Sequence, residues 1–287
     1  MISIVGAGAA GLATAIFAAR RGARGPIVAF DGAARLGAKI LVSGGARCNV
    51  TNRVVTERDF AGGSSSVVRG ILRAFPADKA VSFFREIGVP LHEEADGKLF
   101  PDSNRARTVL DALLAEARRC GVELRAGQRV HRVTREGEGF RLETARGEVA
   151  ADKVVLATGG LSLPKTGSDG GGYQTAVALG HSLVPRTPAL VPLVLDGDFH
   201  ATLAGVSHEA ELVVRVEGRR PVVRRGSLLW THFGVSGPSC STCRASGIGL
   251  ARNAGRCGSP RASCRADRLR KSRAPCSRRP PPTRRPR

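Results

Sequence analysis

The sequence predicts an α/β fold built on a Rossmann-like, doubly wound sheet, and three observations carry that expectation. A short apolar run, Ile2–Val5, stops at a glycine. The glycines that follow, Gly6, Gly8 and Gly11, are spaced G-x-G-x-x-G. A second apolar run, Ile27–Phe30, ends on Asp31. A strand, a glycine turn opening a helix, and a second strand closing on an acid make one βαβ unit of ordinary length.

Each element has its own justification. Residues 2–5 are wholly apolar, as a parallel strand buried on both faces should be. Residues 12–21 hold helix formers and few polar groups, which suits a helix packed on a sheet. Pro26 introduces the second strand, and residues 32–52 then read as a glycine-rich loop. Residues 66–120 read mostly helical. Within them, 77–87 has apolar residues at helical spacing and closes at Gly88, and 106–120 closes at Gly121, both plausible C-caps. Between these helices, 89–92 and 98–101 read as short strands or loop. Over 122–149 the pattern alternates, with Val130, Val133, Phe140 and Leu142 on short antiparallel strands and a turn at 136–139. Residues 154–157 form another buried strand, which ends in Thr158-Gly159-Gly160. A second glycine cluster, 167–173, leads into a helix reaching Leu179. Residues 189–238 are strand-like and punctuated by proline, with 212–216 and 222–223 the clearest strands.

After Pro238 this order stops. The 49 residues from 239 to 287 hold three large aliphatics, Ile248, Leu250 and Leu269, and no aromatic. Such a segment buries too little apolar surface to offset its ordering entropy, so a disordered basic tail is expected. It carries 14 Lys and Arg against the single acid Asp267, a net of +13, which leaves +8 of the chain's +21 for the body. Five of the seven cysteines also lie there. An odd cysteine count with no secretory pattern argues against a disulfide framework. The expected organisation is therefore a dinucleotide-binding domain over 1–188, a partial β-rich inserted domain over 189–238, and the tail. No run approaches the roughly 18 apolar residues a bilayer crossing needs. Met1 leads straight into the first strand, so the expected location is cytoplasmic.

The chemistry lies in three clusters. In the first, Gly6 permits a tight turn, Gly8 lets the backbone approach a pyrophosphate, and Gly11 lets the helix pack close to the strand. The helix N-terminus adds N–H donors, and Asp31 sits where a carboxylate meets a ribose hydroxyl. The second cluster spans 39–52. Lys39, Ser43, Gly44, Gly45, Arg47 and Asn49 offer cations, hydroxyls, amides and bare backbone to a phosphate and an isoalloxazine edge. Its plainer reading is a polar surface loop. The third, Thr158-Gly159-Gly160, stands at a strand's C-terminal end, where ligands of doubly wound sheets bind. Cys48 lacks a partner cysteine and reads as a lining residue without redox chemistry. His232 reads as an ordinary histidine at a strand end. Cys240, Cys243, Cys257 and Cys264 superficially resemble a zinc set, but nothing around them could position it, and no metal site is expected. No catalytic acid or base can be assigned.

Taken with Phe100-Pro101, the segment 157–164, the segment 167–173, Gly180-His181, the segment 188–192 and the segment 231–238, these clusters resemble the BaiN-type NAD(P)/FAD-dependent oxidoreductases, also called the aminoacetone oxidase family. The resemblance runs from residue 1 to about 238. It implies FAD as cofactor and NAD(P)H as electron donor, in a discontinuous FAD domain carrying a β-rich insertion. It places Gly6, Gly8, Gly11 and Asp31 on the pyrophosphate and ribose, and the Val130 backbone on adenine. Residues 43–49, with Thr158, Gly159 and Gly160, fall near the flavin. One departure is Ala46, which replaces a third glycine, a small change if φ there is negative. Another is the tail, which reads like out-of-frame GC-rich coding sequence and suggests a chain truncated or frameshifted after Pro238. The leading expectation is a flavoprotein reducing a small-molecule acceptor or oxygen, inactive if truncated. A non-catalytic dinucleotide-binding fragment is the second reading. The third is a nucleic-acid-associated protein gripping phosphates through its tail. That tail lacks aromatics for base stacking, which makes a nucleic-acid partner the weaker expectation.

Overall fold

The computed structural model describes residues 1–60, 63–184, 186, 192–216, 220–237 and 262–267. They divide into two compact units. The first holds Met1–Asp59 with Ser64–Pro185, and the second the described residues from Arg186 onward, with Phe60 and Gly63.

In the first unit, β1 (Ile2–Val5) turns at Gly6 into α1 (Ala9–Arg20), and β2 (Ile27–Phe30) returns beside it. There follow α2 (Ala38–Val42), β3 (Thr51–Asn52), α3 (Ser65–Ala74), α4 (Ala77–Glu86), β4 (Leu91–Glu93), β5 (Lys98–Pro101) and α5 (Ala106–Arg119). The chain continues through β6 (Glu123–Arg125), β7 (Val130–Glu136), β8 (Gly139–Thr144), β9 (Gly147–Ala151), β10 (Lys153–Leu156) and α6 (Gly171–Ala178). The main sheet has the order β10-β1-β2-β6, parallel throughout, with Ile2 opposite both Ile27 and Lys153. Two antiparallel sheets accompany it, β3-β5-β4 and β7-β8-β9.

Both faces of the main sheet are covered, which explains its unbroken apolar strands. Ile4, Ile27 and Ala29 pack under α1 and α5 with Leu12, Ile16, Leu110 and Leu113. Val5, Val28 and Phe30 face the other way, onto Val133 and Leu142 of the β7-β8-β9 sheet. Burying each of the Ile, Leu, Val and Phe side chains stabilises by about 1.5–3 kcal/mol.

Sequence patterning did not reveal the ionic staple joining three helices. Glu116 of α5 is only 7% exposed. Arg20 of α1 donates to it through Nε at 2.8 Å and to Glu86 of α4 at 3.0 Å, while Arg119 donates from one turn on at 2.7 Å. The guanidiniums of Arg119 and then Arg20 hold the Glu116 carboxyl down at about 2, against the opposing effect of burial.

The expected loop over 32–52 is corrected. It contains α2, started by Gly37 at φ +72° and anchored by buried Ile40, and it ends in β3. A five-residue helix completes too few turns to show a periodicity.

The second unit is an antiparallel sheet of β11 (Leu193–Val194), β12 (Ser207–Val216), β13 (Val222–Thr231), β14 (Gly234–Ser236) and β15 (Ala262–Asp267). Its order is β11-β14-β13-β12-β15, around Leu193, Leu212, Leu228 and Val235. Of residues 239–287, only Ala262–Asp267 are described, and they form β15; the rest of the expected tail lies outside the described residues.

Candidate functional site

Parallel strands put all their carboxyl ends on one side, and the loops leaving β1, β2 and β10 meet there. Gly6 N–H donates to the Phe30 carbonyl at 2.7 Å, and Ala157 N–H to the Val5 carbonyl at 2.8 Å. The three motif glycines are needed for three different reasons. Gly6 takes φ +104°, and a Cβ there would stand 2.4 Å from the Ala157 carbonyl oxygen. A Cβ on Gly11 would fall 1.8 Å from the Gly6 carbonyl oxygen, so α1 can cross β1 this closely only without one. Gly8, by contrast, has an ordinary φ of −80° and would direct a Cβ into open space. No protein contact requires that glycine, so its bareness leaves the turn open to a ligand. No side chain caps α1, and its first-turn N–H groups have no intrahelical acceptor. A bare turn under uncapped donors fits a pyrophosphate.

Asp31 ends β2, and both its oxygens accept backbone hydrogen bonds, from Ala7 N–H at 2.8 Å and Ala33 N–H at 2.9 Å. The carboxylate thus ties the glycine turn to the β2 loop. A ribose hydroxyl would meet it on its remaining lone pairs.

The second cluster is split in use. Lys39, on α2, donates through Nζ to the Ser162 carbonyl at 2.7 Å and to Ser168 Oγ at 2.6 Å, pinning the loop after β10. Ser168 is buried, and its hydroxyl occupies the space a Cβ on Gly159 would need, 2.4 Å away. Ser43 turns its hydroxyl onto the Ile40 carbonyl. Gly44 (φ +54°) lies against the Asn49 backbone and the Phe100 ring, and Gly45 (φ +66°) is open. Arg47 is committed to Glu94 through two bonds of 2.5 and 3.2 Å and lies over the Phe100 ring at 4.2 Å. That guanidinium holds the Glu94 carboxyl below its usual range. Asn49 is exposed, and Val130 opens β7 opposite Thr144. In the third cluster, a Cβ on Gly172 would collide with Thr158 Oγ1, so α6 begins hard against Thr158. Gly160 lies beside the Tyr173 hydroxyl.

The condition attached to Ala46 is not met. Its φ is +66°, in the left-handed region, so the alanine is strained where glycine would not be. Ala46→Gly should therefore raise stability by about 1 kcal/mol, measured as the urea midpoint; an unchanged or lower midpoint would refute that strain. Cys48 shares the positive φ and is buried, which pushes its thiol pKa up, away from the reactive thiolate.

Sequence reasoning missed Glu94 and Arg129, and it left Ser168 and Asp169 inside the 167–173 glycine cluster without roles of their own. Arg129 pairs with Asp169 at 2.6 Å, forty residues away in sequence. His232 lies exposed at the β13–β14 turn, edge-on to Phe233. Among the described residues no cluster of His, Cys, Asp and Glu could hold a metal ion, and no helix is long and apolar enough to cross a membrane. The side chains of Cys240, Cys243, Cys257 and Cys264 fall outside the described residues.

The HI0933-like protein Rossmann domain family matches residues 1–243. A 3-dehydro-bile acid delta(4,6)-reductase of Clostridium scindens is 34% identical over 237 residues, 82% of this chain and 58% of that protein. A ribosomal RNA dihydrouridine synthase of Escherichia coli is 33% identical over 236 residues, again 82% and 58%. The chain thus spans just over half the length of these relatives. Among solved structures, 3-ketosteroid-delta4-(5alpha)-dehydrogenase from Rhodococcus jostii RHA1 aligns with a TM-score of 0.48 and 19% identity, over 63% of this chain and 54% of that one.

Proposed function

The chain belongs to the HI0933-like, FAD-dependent Rossmann family, and on that premise we propose that it works with NAD(P)H to reduce a carbon–carbon double bond conjugated with a carbonyl. The observation that carries the dinucleotide part is the glycine turn, whose bare Gly8 and uncapped α1 leave room and donors for a pyrophosphate. Support for the acceptor comes from the relatives' names. A delta(4,6)-reductase of a 3-dehydro bile acid and a synthase of dihydrouridine both add hydrogen across such a bond.

In this reading Gly6, Gly8 and Gly11 shape the pyrophosphate turn, Asp31 meets the ribose, and the Val130 backbone meets adenine. Lys39 and Ser168 hold the 158–168 loop in place, and Thr158, Gly159 and Gly160, with Ser43, Gly44, Gly45, Arg47 and Asn49, would border the flavin. Bound FAD supplies two-electron chemistry between reduced nicotinamide and the acceptor. The chain's own part is to seat that cofactor, orient its reactive edge and limit water around it.

The test is an anaerobic titration of the FAD-loaded protein. NADH or NADPH should bleach the visible flavin band, and a cyclic conjugated enone should restore it. Protein that holds FAD yet never bleaches would be a dinucleotide binder without this activity.

A further inference from the structure

We propose that Arg129 and Asp169 form a strap across the adenosine end of the dinucleotide cleft and act as positioning residues for that half of the cofactor. The inference rests on the FAD reading above and goes beyond it by adding two residues to the site.

The backbone fixes where Arg129 starts. Residues 127–129 run beside 31–33, with Gly127 N–H on the Ala33 carbonyl at 3.0 Å and Gln128 N–H on the Asp31 carbonyl at 2.7 Å. Gln128 is buried and donates to Thr144 Oγ1, and the Arg129 carbonyl accepts from Ala145 N–H at 3.0 Å. Arg129 therefore leaves the chain immediately beside the acid that ends β2. Its side chain then runs along Gly32, where a Cβ would stand 3.2 Å from Arg129 Cβ and 3.6 Å from Cδ. Glycine at 32 lets the arginine lie flat on that loop.

The far end is fixed equally well. An Arg129 guanidinium nitrogen meets Asp169 Oδ2 at 2.6 Å, while Asp169 Oδ1 accepts Gly171 N–H at 3.0 Å, at the start of α6. One ion pair thus joins the β6–β7 connection, which lies along the loop after β2, to the loop that opens α6. Both belong to the carboxyl-end rim that holds Asp31 and Thr158. Each partner is about half exposed, so water screens the pair and it contributes little to folding. It can open to admit a ligand and close behind it. With a dinucleotide seated, the closed pair limits the freedom of the adenosine end and slows its escape.

A double-mutant cycle on the full chain tests this, with FAD itself as the probe and flavin fluorescence as the readout. Asp169→Asn keeps an acceptor for Gly171 N–H but removes the ion pair; Arg129→Gln removes it from the other side. Each single variant should weaken FAD binding by about threefold to tenfold, and the pair together no more than the weaker single. Arg129→Lys should keep most of the affinity, and urea midpoints without FAD should stay at the wild-type value. Single variants that bind like wild type, or losses that simply multiply, would overturn the strap. Wild-type protein that takes up no FAD would instead overturn the cofactor reading beneath it.

Discussion

Gly11→Ala is expected to cost about 3 kcal/mol of stability and to abolish tight FAD binding, although alanine is the better helix former. Propensity alone predicts the opposite sign, a gain of about 1 kcal/mol for replacing a helical glycine. Packing decides the outcome. The new methyl would stand 1.8 Å from the Gly6 carbonyl oxygen and 2.9 Å from its carbon, both backbone atoms that no rotamer change can move. Helix α1 must then back away from β1, opening the contacts of Leu12, Ala15 and Ile16 beneath it. A shift of about 1 Å would also carry the first-turn N–H groups beyond hydrogen-bonding distance of a bound pyrophosphate. Gly8→Ala is the matched control. Its methyl enters open space at a permitted φ, so stability should stay within about 1 kcal/mol while FAD binding is lost. Urea unfolding and FAD titration of the two variants separate packing from ligand approach. Equal stability losses in both would refute the division of roles.

The second large effect is expected at Glu116. Glu116→Gln should lower stability at pH 7 by about 2–3 kcal/mol, because it leaves Arg20, itself only 21% exposed, without its buried carboxylate. The sign of the pH dependence follows from the depressed carboxyl. Its folded value of about 2 lies below the roughly 4.3 of an unfolded glutamate. The unfolded chain therefore takes up the proton first on acidification. The stabilisation is complete above the unfolded value and is lost as pH falls toward the folded one. Arg119 is two-thirds exposed, so water screens part of the interaction, and the full shift should not be converted into energy. Wild type and variant should differ most near neutral pH and converge as pH drops from about 5 toward 2. A difference that stays constant over that range would show that the carboxylate charge is not what stabilises the helix junction.

What the sequence revealed and what it concealed follow from distance along the chain. The strand, glycine turn and helix were legible because each glycine answers a local demand: a positive φ at Gly6, close helix–strand packing at Gly11, bare backbone at Gly8. The helices ending near Gly88 and Gly121 were legible from periodicity, and both glycines adopt positive φ after the last turn. The staple at Glu116 was hidden because its Arg20 partner is 96 residues away, and a charge on a helix normally reads as solvated face. The Lys39–Ser168 bond spans 129 residues and was hidden in the same way. Lys39 and Arg47 were read as groups reaching for a ligand, as isolated cations in a polar loop must be. Folding gives each a protein partner, so their charge first organises the loops that flank the cleft. Asp31 likewise ties the glycine turn through Ala7 N–H, which no spacing rule discloses.

Whether these loops seat FAD is tested most directly by an absorption spectrum of the purified full chain after free flavin is removed. Flavin bands should remain with the protein, or appear on adding FAD, and the cofactor released on denaturation should be FAD rather than FMN. A folded protein that stays colourless in excess FAD would contradict it.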